Sequence, residues 1–286
     1  MASMRDIKRR RSSIQGTQQI TKAMKLVSTV KLQRAKANAE RSKIYFNCMY
    51  ETVRNILSRV GHIDHPYLVP GDSAKKAVIV LTSNRGLAGG YNSNVVKLIT
   101  RHETWKKEDL EIYALGNKGR DALARNGYEI KGSYPDIMEE PAYADAMVLS
   151  KQLLASFENG EIGEIYLAYT SFKNTVVHEP KLLKLLPVEQ ETVEAEAPKA
   201  EAIMNFEPED VDALAMIIPK YITSLIYGAM MEAIASENGA RMQAMDSATS
   251  NAEEMISDLS LKYNRARQGS ITQELTEIIA GAEALG

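Results

Sequence analysis

Residues 270–285 read Ser-Ile-Thr-Gln-Glu-Leu-Thr-Glu-Ile-Ile-Ala-Gly-Ala-Glu-Ala-Leu, and they end a stretch that has no proline from Lys220 onward. The first 65 residues contain no proline either. An uninterrupted helix over Ser3–Arg59 would measure about 85 Å, and one over Pro219–Leu285 about 100 Å. A compact chain of this size has a radius of gyration of about 19 Å. The two terminal segments must therefore pack on each other or on another protein.

Apolar residues recur in both terminal segments at spacings of three, four and seven, which is typical of a helical stripe. Because a domain between the segments returns the chain, the two stripes predict an antiparallel coiled coil of residues 1–61 and 208–286. Pro219 is expected to break or kink the second helix. The main stripe positions are Ile7, Ile14, Ile20, Met24, Val27 and Val30, then Tyr221, Leu225, Met231, Ile234, Met242, Met245, Met255 and Leu259.

The centre of the chain has a different period. Short apolar runs at Ala77–Thr82, Glu111–Leu115 and Glu164–Tyr169 alternate with helix-compatible stretches. This alternation predicts a Rossmann-like α/β domain over residues 75–190 with a largely parallel sheet, and Leu182–Val188 favours an antiparallel edge strand. The acidic residues 191–207 are interpreted as a surface linker. The expected fold class is therefore α/β, with a central domain attached to a long coiled coil.

Composition argues against a chain with internal disulfides and against one with a membrane-spanning apolar run. The single cysteine, Cys48, rules out an internal disulfide and fits a reducing compartment. It lies on the helical stripe, so a buried thiol is expected. No apolar run approaches the roughly 18 residues needed to span a bilayer. The 13 methionines and the low aromatic content of 6% favour slender seams between helices.

The net charge of −2 conceals a strong asymmetry. Between Arg5 and Lys43 there are twelve lysines and arginines against two acids, whereas Glu189–Asp212 holds nine acids against one lysine. A basic helix can bind nucleic acid or an acidic protein surface. No aromatic residue precedes Tyr45 and no base-reading motif is present, so the acidic protein partner is favoured. Binding of nucleic acid stays open as an alternative, and it predicts a steep dependence on salt.

The best candidate for a ligand loop is Thr82–Asn92, which reads Thr-Ser-Asn-Arg-Gly-Leu-Ala-Gly-Gly-Tyr-Asn. It follows a strand and precedes a helix, where phosphates bind in doubly wound folds. Its glycines match neither G-x-G-x-x-G nor a phosphate loop ending in G-K-[ST]. A tight turn is therefore favoured, and a nucleotide-dependent enzyme remains the second alternative.

No other constellation predicts catalysis. His62 and His65 flank Asp64 without a further histidine or cysteine nearby, so a polar loop is favoured over a metal site. Adjacent acids such as Glu253 and Glu254 point in different directions on a helix. We therefore predict no catalytic, cofactor-binding or metal-binding residues, and expect no cofactor.

Several segments together resemble the gamma subunit of F-type ATP synthases. The segment Ile271–Ala284 is similar to that family's C-terminal signature, and Ile20-Thr-Lys-Ala-Met-Lys-Leu-Val27 is similar to its opening helix. Ser83–Asn92 resembles its first βα loop. Met4–Arg10, Glu237–Asn251 and Tyr263–Gln268 add matches in the same order, so the resemblance covers nearly the whole chain.

The resemblance implies a central rotor stalk that is not itself catalytic. Its coiled coil would lie in the bore of a ring of three alpha and three beta subunits. Its α/β domain would lie outside that ring, near the epsilon subunit and the ring of membrane-embedded proteolipid subunits. The chain would be peripheral to the membrane through these partners, at the cytoplasmic face of a bacterial plasma membrane, with no nucleic acid bound.

Individual positions also take roles from the resemblance. Arg267 and Gln268 match the family's contacts to a loop of the beta subunit. Arg241 and Thr272 match positions linked to coupling, and Met24 matches the facing position on the opening helix, where simple packing is an equal alternative. Two departures from the family pattern are Gly269, where alanine is common, and Arg11, where an apolar residue is common.

Overall fold

The computed structural model describes residues 4–59, 65–188 and 210–285. The chain divides into two compact units. One is the α/β unit, Thr29–Ala240, and the other, which we call the terminal helix pair, combines Met1–Ser28 with Arg241–Gly286. The acidic segment 191–207, interpreted above as a linker, lies outside the described residues, as do His62 and Asp64.

A five-stranded sheet forms the centre of the α/β unit. The strand order is β3-β2-β1-β4-β5, in which the first four strands are parallel and β5 is antiparallel to β4. The α/β class and the antiparallel edge strand are thus confirmed. The strands are β1 (Lys76–Leu81), β2 (Leu110–Leu115), β3 (Glu129–Ser133), β4 (Glu164–Phe172) and β5 (His178–Leu186).

Strand β3 was absent from the sequence-based prediction. It is an edge strand whose residues alternate between exposed and half-buried, and Ile130 is its only large apolar residue. The central strands β1 and β2 are almost fully buried, which explains why their continuous apolar runs were recognisable.

Helices cover both faces of the sheet. Three short helices connect the parallel strands: α2 (Tyr91–Thr100), α3 (Asn117–Arg125) and α4 (Tyr143–Glu158). One core cluster contains Val80, Val95 and Ile112 from β1, α2 and β2. The other joins β1 and β4 to α4 and to the C-terminal helix, with Leu153 and Ile226 fully buried.

Two long helices contain the chain ends. The first, α1, spans Met4–Arg59, and the last, α5, spans Asp210–Leu285. Of the break or kink expected at Pro219, the break does not occur, because α5 continues through the proline, and the kink stays a prediction. Thr223 donates a hydrogen bond to the Pro219 carbonyl at 2.8 Å. Cys48 on α1 is exposed, so the expectation of a buried thiol is wrong. No helix in the described part of the chain is long and apolar enough to cross a bilayer.

Candidate functional site

The terminal helix pair is antiparallel. Arg11 lies over the ring of Tyr263, with 5.5 Å from its guanidinium carbon to the ring centroid. Further along α1, Lys25 forms an ion pair with Asp246 at 2.6 Å. Residue numbers therefore rise along α1 as they fall along α5, which confirms the predicted orientation. Arg11 stands where the family commonly has an apolar residue, and its guanidinium group stacks on an aromatic ring in the seam between the two helices.

A polar contact lies inside the seam. The hydroxyls of Thr21 and Thr249 are 2.8 Å apart and buried. Each hydroxyl also lies within hydrogen-bond distance of a carbonyl of its own helix, Thr21 of Gln18 and Thr249 of Met245. Because the two hydroxyls have two protons, one donates to its own carbonyl while the other donates across the seam. A buried polar pair of this kind is satisfied only in one register, so it favours a single alignment of the two helices.

The five residues to which the resemblance assigns roles all lie on this helix pair, but they are not clustered. Arg267, Gln268 and Thr272 are exposed, whereas Met24 and Arg241 are half-buried. Along α5, Arg241 and Thr272 are separated by about 46 Å at 1.5 Å per residue. These positions are therefore spread along the two helices and do not form one compact site.

Arg267 belongs to a larger basic surface. In the observed register, Arg267 and Gln268 lie beside the first residues of α1, where exposed cations are concentrated. The sequence shows the cations of α1, but only the register reveals that those of α5 join them. We call this surface the basic collar; against one acid, Asp6, it contains Arg5, Lys8, Arg9, Arg10, Lys262, Arg265 and Arg267.

The end of α5 extends past the start of α1 and exposes apolar side chains. Ile271, Leu275, Ile278 and Ile279 are 48% to 67% exposed. Their spacing of four, seven and eight residues places them on one side of the helix. An apolar stripe of this kind on a helix in water marks a surface that a partner covers. We call these four residues the apolar tip.

Residues of the loop Thr82–Asn92 form hydrogen bonds with the first residues of α3. Asn84 accepts a hydrogen bond from the Asn117 backbone amide at 3.1 Å, and the Thr82 hydroxyl accepts one from the Gly119 amide at 2.9 Å. Lys118 donates its amide to the Ser83 carbonyl at 3.1 Å. The loop therefore caps the N-terminus of α3, whereas α2, the helix that directly follows the loop, begins after Gly90 without a side-chain cap.

Gly116 allows the backbone at the end of β2 to lie close to Thr82, and the cap of α3 depends on this contact. Its φ is +112°, and a Cβ there would lie 2.1 Å from the Thr82 carbonyl oxygen. A larger residue would push β2 away from the loop, so this glycine is needed for packing.

Helix α5 covers the carboxyl end of the sheet. The strand order reverses between β1 and β4, which is where doubly wound folds bind ligands. Tyr91, at the start of α2, donates its hydroxyl to the Ala233 carbonyl on α5 at 3.1 Å. Ser236 on α5 donates to the carbonyl of Thr170 in β4 at 3.2 Å. The crevice expected in a nucleotide-binding enzyme is thus filled by a helix of the same chain.

Two histidines, the buried His65 and the half-buried His178, lie in the α/β unit. The Nδ1 of His65 accepts a hydrogen bond from the Tyr67 backbone amide at 3.2 Å, which starts a short 3-10 turn at Pro66. Burial lowers the pKa of His65, and burial likewise lowers the pKa of His178. No group of three or more His, Cys, Asp or Glu residues suited to a metal occurs within the described ranges.

Burial also changes the acidity of a tyrosine near α5. The pKa of Tyr169 in β4 is raised to about 12 by burial and by the nearby Glu232 carboxylate. The same carboxylate accepts the Phe172 backbone amide at 3.1 Å. Tyr169 therefore stays protonated at any physiological pH and packs as an apolar ring.

Comparison with known proteins places this architecture in a family. The family model described as ATP synthase matches residues 3–285. The ATP synthase gamma chain of Lachnoclostridium phytofermentans is 64% identical over 291 residues and is covered along its whole length, as is this chain. The sodium-ion-specific ATP synthase gamma chain of Acetobacterium woodii is 40% identical, with 99% of both chains covered.

Solved structures agree with this assignment. A central-stalk chain of the Tetrahymena thermophila mitochondrial ATP synthase has a TM-score of 0.60 and 25% identity, covering 80% of this chain and 99% of its own length. A chain of the Euglena gracilis mitochondrial ATP synthase has a TM-score of 0.68 at 18% identity, covering 99% and 94%, which shows the same fold. The chain is thus a central-stalk component of an ATP-synthesising enzyme complex, and it belongs to the ATP synthase gamma chain family.

Proposed function

We propose that this chain is a non-catalytic rotor shaft, which carries torque between an ion-driven ring of proteolipid subunits and a ring of three alpha and three beta subunits. The observation that carries the proposal is the terminal helix pair, with its fixed antiparallel register, basic collar and apolar tip. An asymmetric rod that turns inside a ring presents a different surface to each subunit in turn. Each nucleotide site then adopts a different state, which is coupling through differential contact.

The absence of chemistry in this chain is supported by two features of the α/β unit. The amides at the N-terminus of α3 bond to Thr82, Ser83 and Asn84, and α5 fills the crevice at the strand reversal. In this proposal, nucleotide binding and hydrolysis belong to the surrounding ring. In this proposal the α/β unit contacts epsilon and the proteolipid ring, at the cytoplasmic face of a bacterial plasma membrane.

Arg267 and Gln268 are proposed to contact a loop of the beta subunit. Both are exposed, and Arg267 lies within the basic collar. A guanidinium group offers two parallel donors to a carboxylate, so Arg267 fits an acidic loop, and the amide of Gln268 adds neutral hydrogen bonds. Thr272 is placed one turn further on, where its hydroxyl donates to the Gln268 carbonyl at 2.9 Å and leaves its methyl group for a partner.

Met24 and Arg241, both half-buried, are proposed to affect coupling through contacts within the helices. Met24 offers a flexible apolar contact in the seam, since its unbranched chain adapts to neighbouring side chains. Arg241 lies at the point where α5 enters the terminal helix pair, and it makes polar or charged contacts there.

The proposed contacts are tested with Arg267→Ala and Gln268→Ala together in the assembled enzyme. Each residue is exposed, so folding of the chain should be unchanged. We expect ATP synthesis driven by an ion gradient to fall by about tenfold, because a charge-assisted contact contributes roughly 1.5–3 kcal/mol. The matched control is Lys151→Ala with Gln152→Ala, an exposed cation and amide on α4. Equal synthesis and assembly in both double variants would contradict these assignments.

A further inference from the structure

Helix α5 is held on one face where it crosses the sheet. Glu232 accepts a hydrogen bond from the sheet, and Ser236 donates one. At 100° per residue, Glu232, Ser236 and Gly239 lie within about 60° of one another around the helix. Gly239 is the last residue of this face before α5 leaves the α/β unit at Ala240.

Gly239 leaves a gap that the ring of His178 fills. A Cβ at Gly239 would lie 2.6 Å from Cε1 and 2.9 Å from Nε2 of that ring. A contact below 3.0 Å forces a shift, and here the His178 ring would have to move away from a place where both of its nitrogens are enclosed. The His178 ring therefore fits in this position only because residue 239 has no side chain.

His178 has unusual surroundings for a polar side chain. Both ring nitrogens are buried without a hydrogen-bond partner among the described residues, and the Phe172 ring lies 5.8 Å away between centroids. Burial lowers the pKa of His178, and the nearby Thr175 carbonyl acts in the opposite direction without a well-aligned bond. Charged residues on the adjoining elements include Lys97 on α2, Lys173 in the β4–β5 turn, Glu179, Lys181 and Lys184 on β5, and Glu232, Glu237 and Arg241 on α5.

We propose that His178 is a positioning residue, whose ring in the Gly239 gap fixes the rotational setting of α5 about its own axis. The three hydrogen bonds at Glu232, Ala233 and Ser236 hold the helix along its length, and the His178 contact holds it at the exit. A helix transmits torque only if it does not rotate against the domain that holds it, and the His178 contact opposes such a rotation within the α/β unit. The inference thus rests on the rotor function proposed above.

The test uses the complete enzyme in lipid vesicles, with ATP hydrolysis and ion pumping measured together through a potential-sensitive dye. Gly239→Ala inserts a methyl group into the contact, and the ratio of pumping to hydrolysis is expected to fall on the order of tenfold, as for an overpacked contact. Adding His178→Ala makes room for that methyl group. The double variant should regain the ratio to within about twofold, as a coupled pair does.

The matched control is Gly16→Ala, because a Cβ at Gly16 meets nothing within 4 Å. If Gly239→Ala behaves like Gly16→Ala, or if His178→Ala gives no rescue, the positioning role is wrong while the rotor function stands. If the unmodified enzyme hydrolyses ATP without pumping, the rotor proposal itself fails. The two failures are therefore distinguishable.

A pH profile separates positioning from simple space filling. Burial lowers the pKa of His178 below its ordinary value of 6.5, so the buried ring favours the neutral form. Protonation at lower pH would therefore favour a ring that has left the gap. The pumping ratio of the unmodified enzyme should fall as the pH drops below 6.5, whereas His178→Phe should show a flatter profile. Parallel profiles for the two enzymes would overturn the inference.

Discussion

At the scale of single residues, a few buried polar groups determine how neighbouring segments fit together. The hydroxyl pair of Thr21 and Thr249 aligns two helices, and His65 starts a turn by accepting the Tyr67 amide. The Thr21–Thr249 pair could not be read from the sequence, because the two residues are 228 positions apart. The contact of His65 is local, but the histidine there was interpreted only as part of a polar loop.

His65 predicts a dependence of stability on pH. Its pKa is lowered by burial in the folded chain, so the unfolded state binds the proton more tightly. Stability from this residue is therefore present above its ordinary pKa of 6.5 and is lost as the pH falls below that value. Protonation also removes the acceptor used by the Tyr67 amide.

We expect His65→Asn to keep an acceptor near the Tyr67 amide and to reduce the loss of stability between pH 7.5 and pH 5.5. The measurement is the urea midpoint of the purified chain at both values of pH. His102→Asn, at a half-buried surface position, is the control. An identical loss in the unmodified chain and in His65→Asn would refute this account.

At the scale of elements, apolar periodicity was sufficient for the main helices and central strands. The runs at Ala77 and Glu111 identified β1 and β2 because both strands are buried on both faces. The edge strand β3 lacked such a run and was missed. The break that was one of the two outcomes expected at Pro219 does not occur, because tertiary packing of Ile218 and Ile222, both buried, supports the helix across the proline.

Gly269 predicts a local weakness in α5. A Cβ there would meet nothing within 4 Å, so alanine fits without strain. Gly269→Ala should stabilise the helix by about 0.5–1 kcal/mol, because glycine loses more backbone entropy than alanine in a helix. Amide hydrogen exchange of residues 265–275 in the purified chain should slow accordingly. As a contrast, Gly116→Ala, at positive φ beside Thr82, should destabilise the chain. Faster amide exchange of residues 265–275 in Gly269→Ala would contradict the expected stabilisation.

At the scale of the whole molecule, function depends on surfaces that the chain leaves uncovered. The candidate positions at Arg267, Gln268 and Thr272 came from a family resemblance, since an exposed side chain on a polar helix has no signature of its own. The sequence did show the cations near the N-terminus. Their union with the cations of α5 into the basic collar depends on the register, which only the structure reveals.

The apolar tip predicts a need for the end of α5 in assembly. Deleting residues 272–286 removes Leu275, Ile278 and Ile279, all exposed in the chain alone. Burying such side chains contributes roughly 1.5–3 kcal/mol each, so the truncated chain should bind the ring more weakly. Dissociation of the purified complex on dilution is the measurement. A tightly coupled and fully assembled complex with this truncation would show that the tip is dispensable.

The most direct test of the rotor account is the mass of the complex formed when this chain is co-expressed with its alpha and beta subunits. In the proposed account, a single shaft lies inside each closed ring. The account predicts one copy of this chain with three alpha and three beta subunits. A chain recovered as a free monomer or dimer, or in several copies per ring, would contradict it.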